Sequence, residues 1–277
     1  MASHQKQHDF HLVNPSPWPL VGAISMFITP IGGLLFMHEK PFGAVVLIIG
    51  LLMVFTTMRL WWKDVCSEGA HHTSLVQHGL RIGMALFIIS EVMFFFGFFW
   101  AFFKAALDPV GILDGVWVAK EGIFPPEGVK VFDAWDIPLL NTLILLLSGT
   151  TVTWAHYALL RNDRKELVRG LVATVCLGMT FTALQAYEYG HAAFGFKDGI
   201  YSSTFYMATG FHGLHVIIGT IFLAVCLIRA GKGQLTLKNH LGFEFAAWYW
   251  HFVDVVWLFL FVFVYWWAGT GATVASH

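Results

Sequence analysis

Charged side chains are scarce in this sequence. Asp, Glu, Lys and Arg make up 12% of the 277 residues, whereas soluble domains carry about 25%. So few charges cannot cover a water-facing surface, which excludes one or two soluble globular domains. Apolar residues account for 57% of the chain, and the mean hydropathy is +0.67. The composition therefore predicts a polytopic membrane protein.

Cysteine is also rare. Cys66, Cys176 and Cys226 are scattered and form no CxxC pair, which argues against a disulfide framework and against a thiolate metal site. The net charge of −1 gives no sign of a nucleic-acid partner, and none is expected. The polar residues 1–19 lack a charged segment followed by a short apolar core, so no cleaved signal peptide is predicted.

Hydropathy predicts seven transmembrane helices and therefore an all-α protein. A tight turn at residues 38–41 joins the first two spans, and the longest connection, from Asp108 to Asp136, contains Pro125, Pro126 and Gly128, which indicates an extramembrane loop. The predicted spans are Trp18–Met37, Pro41–Trp62, Ser74–Ala106, Ile137–Leu160, Leu167–Tyr189, Ser203–Arg229 and Phe243–Ala268.

The distribution of Lys and Arg predicts the orientation. With the N-terminus on the cytoplasmic or matrix side, eleven of the sixteen basic residues lie inside and five lie outside. This bias follows the positive-inside rule and places the C-terminus on the opposite side of the membrane. The five outside residues are Lys40, Lys104, Lys120, Lys130 and Lys197.

One ionisable residue, Glu91, interrupts the apolar run between Arg81 and Lys104. A helix rising about 1.5 Å per residue places it near the middle of a bilayer core roughly 30 Å thick. A charged carboxylate is costly there. We therefore expect Glu91 to be protonated, to have a partner on another helix, or to face away from lipid.

Other polar residues also fall inside the predicted spans. His212 and His215 are three apart and share a helix face, and His251 and Asp254 have the spacing of an imidazole–carboxylate pair. Three interpretations remain open from the residues alone: a haem or metal site, a proton or ion pathway, or groups that satisfy one another between helices or hold a lipid headgroup. Gly210, Gly213 and Gly219 favour a close helix approach along the sixth span.

Several long motifs resemble one known family, subunit III of haem-copper cytochrome c oxidase. The resemblance runs in order from His11 to Trp267. Its main motifs are SEVMFF from Ser90, PLLNT from Pro138, TWAH from Thr153, QAYEY from Gln185, ATGFHGLHVIIG from Ala208 and AWYWHFVDVVW from Ala247. The loop motif at 115–128 is expanded relative to the family pattern.

The resemblance implies a noncatalytic core subunit of a proton-pumping aa3-type oxidase. It implies seven helices, with the first two (residues 1–70) separated from a five-helix bundle (residues 71–277) by a V-shaped cleft that holds phospholipid. Haem a and copper belong to subunits I and II, so the chain itself has no catalytic residue, no metal site and no redox centre. Cytochrome c is the electron donor of the whole complex.

The same resemblance implies roles for particular residues. Glu91 matches the family's buried, carbodiimide-reactive carboxylate, with His212 or His215 as its partner, and the subunit would steady subunit I and support proton uptake. Lipid contacts are expected at Arg59, Trp61, Trp62 and His72, the first three of which also suit an ordinary interfacial anchor. The alternative is a proton- or ion-coupled transporter built around Glu91 and His212/His215. The segment Tyr189–Phe196 favours a bacterial inner membrane over a mitochondrial one.

Overall fold

The computed structural model describes residues 10, 13, 15–107, 124–126 and 129–270. Within them lie seven helices long and apolar enough to cross a membrane, so the all-α prediction is confirmed. The helices are α1 (Trp18–Met37), α2 (Gly43–Glu68), α3 (Ser74–Leu107), α4 (Ile137–Leu160), α5 (Arg164–Gly190), α6 (Ile200–Gly231) and α7 (Leu241–Phe259), which continues as a π-helix over Leu260–Trp267.

Several helix ends differ from the predicted spans. The second helix begins at Gly43, not at Pro41, because Phe42 adopts a positive φ of 63° that ends the preceding turn. It also continues six residues beyond Trp62, to Glu68, through Lys63 and Asp64. Hydropathy marks the apolar part of a helix, and the polar turns that emerge from the bilayer lie outside that signal.

The chain divides into two compact units, Met1–Leu80 and Arg81–His277. In the first unit, α1 and α2 pack closely because Gly32 and Gly43 leave room for the backbone of the other helix. At the opposite end of this pair, Trp18 Nε1 donates a hydrogen bond of 2.6 Å to Asp64 Oδ2. The two helices are therefore antiparallel.

In the second unit, α4, α5, α6 and α7 pack as successive neighbours, and α7 also returns against α4. Two buried indoles of α7 donate to α4: Trp250 Nε1 to Ser148 Oγ at 2.8 Å and Trp257 Nε1 to Thr142 Oγ1 at 2.9 Å. The α3 helix joins this bundle through side chains, with Phe94 edge-on to Phe211. Hydroxyl acceptors on α4 thus satisfy indole donors that lie away from water.

The α4–α5 and α6–α7 connections, which the positive-inside rule assigns to the same side of the membrane, contact each other. Asp163 caps α5 by accepting from the backbone N–H groups of Lys165 and Glu166, both at 3.1 Å. The next residue, Arg164, donates through Nε to the Ala230 carbonyl at 3.0 Å, near the end of α6. The α4–α5 and α6–α7 connections therefore lie at the same end of the bundle.

Only part of the predicted extramembrane loop, residues 124–126 and 129–136, lies within the described residues. Its positions at 108–123, at Gly128 and in most of the 115–128 motif fall outside them. The described part is not solvent-exposed throughout, because Val131 and Phe132 are buried. Phe132 packs on Phe194 and Phe205. This short segment closes one end of the five-helix core.

Candidate functional site: a carboxyl–imidazole pair between α3 and α6

Glu91 lies halfway along α3 and meets one of its two predicted partners. Its Oε2 atom is 2.8 Å from Nε2 of His215 on α6. The side chains are mostly covered, with 22% of Glu91 and 10% of His215 exposed. The imidazole lies among aromatic rings, including Phe95 and Tyr249 at centroid distances of 4.9 and 6.2 Å. The structure therefore gives the intramembrane carboxyl a polar partner inside an aromatic shell.

The second nitrogen of His215 fixes how many protons this pair holds. Nδ1 lies 2.6 Å from the Phe211 carbonyl oxygen, which can only accept, so Nδ1 carries a proton. Nε2 then either accepts from a protonated Glu91 or, in an imidazolium, donates to a carboxylate. In both arrangements one proton lies between Nε2 and Oε2. The pair has no net charge, as suits its depth in the membrane.

His212, the other predicted partner, points elsewhere. Its side chain is buried against Phe181 and Trp257, and its Nε2 lies 3.1 Å from the Val253 carbonyl on α7. Nε2 must donate to that carbonyl, which leaves Nδ1 as a buried acceptor without a partner among the described residues. One turn of α6 thus directs His215 towards α3 and His212 towards α5 and α7.

His251 and Asp254 lie on α7 at the spacing noted in the sequence, but they form no hydrogen bond. Nδ1 of His251 is 3.9 Å from Asp254 Oδ2, within ion-pair distance but beyond hydrogen-bond reach. Its Nε2 instead contacts Thr153 Oγ1 of α4 at 3.1 Å. Asp254 is buried, and its Oδ1 has no partner in the described part of the chain.

The residues expected to contact lipid lie in the first unit. Arg59, Trp61 and Trp62 are exposed along α2, with 38% of Trp61 and 59% of Trp62 accessible. His72 is half-buried just after a short 3₁₀ turn, Gly69–His71. Because α2 extends to Glu68, the Arg and Trp side chains lie within the helix and not at its end.

Two polar groupings were missed by the sequence interpretation. Arg81 of α3 binds the Glu244 carboxylate of α7 in a bidentate pair, Nε to Oε1 and Nη2 to Oε2, both 2.9 Å. Nothing in the sequence marks a contact between positions 163 apart. The packing of α3 on α7 brings the two residues together.

The second grouping surrounds Glu188, which is fully buried in α5. Tyr265 donates to its Oε1 at 2.7 Å, and Gln185 donates to the same oxygen at 3.1 Å. Asn141 reaches the Gln185 carbonyl oxygen at 3.4 Å. The spacing of Gln185 and Glu188 places them on one helix face, which is the signal that could have found half of this network.

Among the described residues, no three His, Cys, Asp or Glu side chains come together in a group that could hold a metal ion. His212 and His215, the closest candidates by sequence, are directed to different neighbours by the contacts above. The histidines of α6 therefore serve hydrogen bonds between and within helices.

Comparison with known proteins identifies the family. A family model described as cytochrome c oxidase subunit III matches residues 8–269. The chain belongs to the cytochrome c oxidase subunit III family. As a member it is a subunit of cytochrome c oxidase, the oxygen-reducing enzyme of respiration, and it is an integral membrane protein. Family membership does not favour the alternative of a transporter.

Curated relatives cover almost the whole chain. A protein of Rickettsia bellii named probable cytochrome c oxidase subunit 3 is 61% identical over 265 residues, covering 94% of this chain and 96% of the relative. Cytochrome c oxidase subunit 3 of Triticum aestivum is 56% identical over 267 residues, covering 95% and 98%. The corresponding Arabidopsis thaliana protein is 55% identical over 267 residues. The subunit III match thus extends over all seven helices.

Proposed function

We propose that the chain is the noncatalytic third core subunit of a proton-pumping cytochrome c oxidase, bound to subunits I and II. It steadies subunit I, holds phospholipid and supports proton uptake, while haem a and copper lie in the partner subunits and cytochrome c supplies the electrons. The family match over residues 8–269 carries this proposal. The Glu91–His215 pair supports it, because that pair stores one proton at the centre of a helix interface.

The proposed orientation has the N-terminus on the cytoplasmic or matrix side and the C-terminus opposite. The contact between Arg164 and the end of α6 supports it, because that contact collects Arg161, Arg164, Lys165 and Lys232 at one end of the bundle. Such an accumulation is typical of the inner surface. We place the chain in a bacterial inner membrane, because the Tyr189–Phe196 segment favours a bacterial over a mitochondrial source.

Phospholipid is proposed to bind along the first two helices, within residues 1–70. Arg59 supplies a cation for a lipid phosphate, while Trp61 and Trp62 supply amphipathic rings at headgroup depth. Mass spectrometry of phospholipid retained by the purified complex tests this. The variant Arg59→Ala/Trp61→Ala should retain less lipid than Trp100→Ala, which removes an exposed tryptophan from α3.

Affinity purification of the tagged chain from its native membrane tests the main proposal. We expect subunits I and II to co-purify with it, together with the visible spectrum of haem. The chain dissociated from that complex should show no haem of its own and should transport no solute in liposomes. Stoichiometric haem in the isolated chain, or purification without other oxidase subunits, would contradict the proposal.

A further inference from the structure

A pocket of about 270 Å³ lies at one end of the second unit and is lined by Asp133, Trp135 and Trp266. Trp135 is two residues before the first residue of α4, and Trp266 is the next-to-last residue of the π-helix Leu260–Trp267. Both helices are long and apolar enough to cross a membrane, so their ends lie at the depth of the lipid headgroups. The pocket is therefore at the membrane interface.

The two indole rings of the pocket meet at an angle. Their centroids are 5.5 Å apart, and their planes are inclined at 64°. A cation beside the pair can lie within about 6 Å of both centroids, the distance over which an indole attracts a positive charge. Trp135 is 59% and Trp266 47% exposed, so the core leaves part of each ring free. The pair thus offers aromatic surface to a ligand at the interface.

The charge of the pocket selects a cation over an anion. Asp133 supplies a half-buried carboxylate, and no Lys, Arg or His is among the described residues that line the pocket. A phosphate would meet this carboxylate and the electron-rich faces of two indoles. The volume of about 270 Å³ also far exceeds the roughly 30 Å³ that one water occupies in the liquid. A group of several atoms therefore fits the pocket better than a bare ion.

The polar atoms of the wall favour a cation without N–H groups. Asp133 Oδ1 already accepts from the backbone N–H of Trp135 at 2.9 Å. The Tyr265 hydroxyl donates to Glu188, and the Thr270 hydroxyl donates to the Trp266 carbonyl at 2.9 Å. A Lys ammonium brings three donors that need acceptors. A quaternary ammonium brings none, and it needs only aromatic faces and one counter-charge.

We propose that this pocket binds the trimethylammonium group of a choline phospholipid. Trp135 and Trp266 are its aromatic walls, and Asp133 is its counter-charge. Recognition of quaternary ammonium groups by aromatic rings is a recurring use of the cation–π interaction. The inference goes beyond the proposed function, which places phospholipid on the first two helices and binds its phosphate through Arg59. In the proposed orientation the choline headgroup belongs to the outer leaflet.

Photoreactive lipids test the inference in the complex purified from its native membrane. The complex is reconstituted in phosphatidylglycerol vesicles that contain a trace of a photoreactive phosphatidylcholine, or of a phosphatidylglycerol with the same photoreactive acyl chain. We expect the choline probe to label peptides containing Trp135 or Trp266 about fivefold more than the glycerol probe does. Added unlabelled phosphatidylcholine should abolish this excess.

Variants assign the labelling to the pocket. Asp133→Asn keeps an oxygen acceptor but removes the charge, and Trp135→Leu removes one wall, so each should lower choline labelling about fivefold. The matched controls should leave it unchanged. They are Asp198→Asn, which removes an exposed carboxylate at the same end of the bundle, and Trp100→Leu, which removes a tryptophan 66% exposed on α3. If a variant does not assemble, competition by tetramethylammonium chloride against sodium chloride gives the same readout on the unsubstituted complex.

Three results would overturn the inference. Equal labelling by the two probes would show that only ordinary boundary lipid lies there, and choline labelling unchanged by Asp133→Asn would remove the counter-charge. A carbodiimide crosslink from Asp133 to a lysine of another subunit would show that a protein cation fills the pocket. Failure of the chain to purify with oxidase subunits concerns only the proposed function, because the headgroup preference is measured on this chain's own peptides.

Discussion

His215 forms hydrogen bonds with both ring nitrogens, through Nε2 to Glu91 at 2.8 Å and through Nδ1 to the Phe211 carbonyl at 2.6 Å. The carbonyl can only accept, so it fixes the proton on Nδ1. The remaining contact must contain one further proton, held by either the carboxyl or the imidazole. Phe211 is one turn before His215 in α6, so a backbone carbonyl of the same helix fixes the proton on His215 Nδ1.

Replacing Glu91 by Gln tests this assignment. The Gln amide donates to Nε2 without a titratable proton, so we expect thermal stability in detergent to change little. Glu91→Leu leaves Nε2 without a partner and should cost about 1 kcal/mol, the usual scale of hydrogen bonds between membrane helices. Carbodiimide labelling should disappear in both variants. Equal destabilisation by Gln and Leu would argue against a donor at position 91.

The bidentate pair of Arg81 and Glu244 should hold α3 against α7. Arg81→Lys cannot reproduce two parallel N–H···O bonds and should lower the free energy of unfolding by about 1–2 kcal/mol. The control is Arg169→Lys on α5, where Arg169 contacts Glu166 at 2.6 Å but is 57% exposed. An exposed pair contributes about 0–1 kcal/mol. Similar thermal midpoints for the two variants would show that the α3–α7 pair is not specially stabilising.

Glycines of α6 should differ sharply in their tolerance of a methyl group. At Gly219 a Cβ atom would lie 2.9 Å from the Trp250 ring, whereas at Gly213 it would meet nothing within 4 Å. Gly219→Ala must displace the buried indole and should cost about 1–3 kcal/mol. Gly213→Ala should be neutral or stabilise the isolated chain by about 0.5 kcal/mol. Thermal melts of the two variants compare them, and a stable Gly219→Ala would contradict the close contact.

Removing the Tyr265 hydroxyl tests how much the hydrogen bonds around the buried Glu188 stabilise the chain. Tyr265→Phe leaves Glu188 Oε1 with Gln185 as its remaining donor and should destabilise the chain by about 1–3 kcal/mol. Tyr157→Phe is the control, because the Tyr157 side chain is 60% exposed on α4. If both variants melt alike, the Tyr265 hydroxyl does not stabilise the network.

Glycine spacing illustrates where sequence patterns mislead. Gly210, Gly213 and Gly219 favour a close helix approach along the sixth span, and within the described residues a Cβ atom at Gly219 would lie against the Trp250 ring, whereas at Gly210 and Gly213 it would meet nothing within 4 Å. The partner of Gly219 is the Trp250 ring, which also covers Gly178 of α5. A period of three or four gives the side of a helix, but the shape of the residue opposite decides which position is close.

The sequence by itself determined the seven membrane-crossing helices, because long apolar runs can satisfy their backbone groups in lipid only as helices. It also determined that Glu91 would lie at the middle of one of them. The tertiary structure decided which groups meet: Glu91 contacts His215 and not His212, and Arg81 binds Glu244. Asp254 Oδ1 has no hydrogen-bond partner among the described residues. These contacts depend on how helices far apart in the chain rotate and pack against one another, and hydropathy contains no information on rotation or packing.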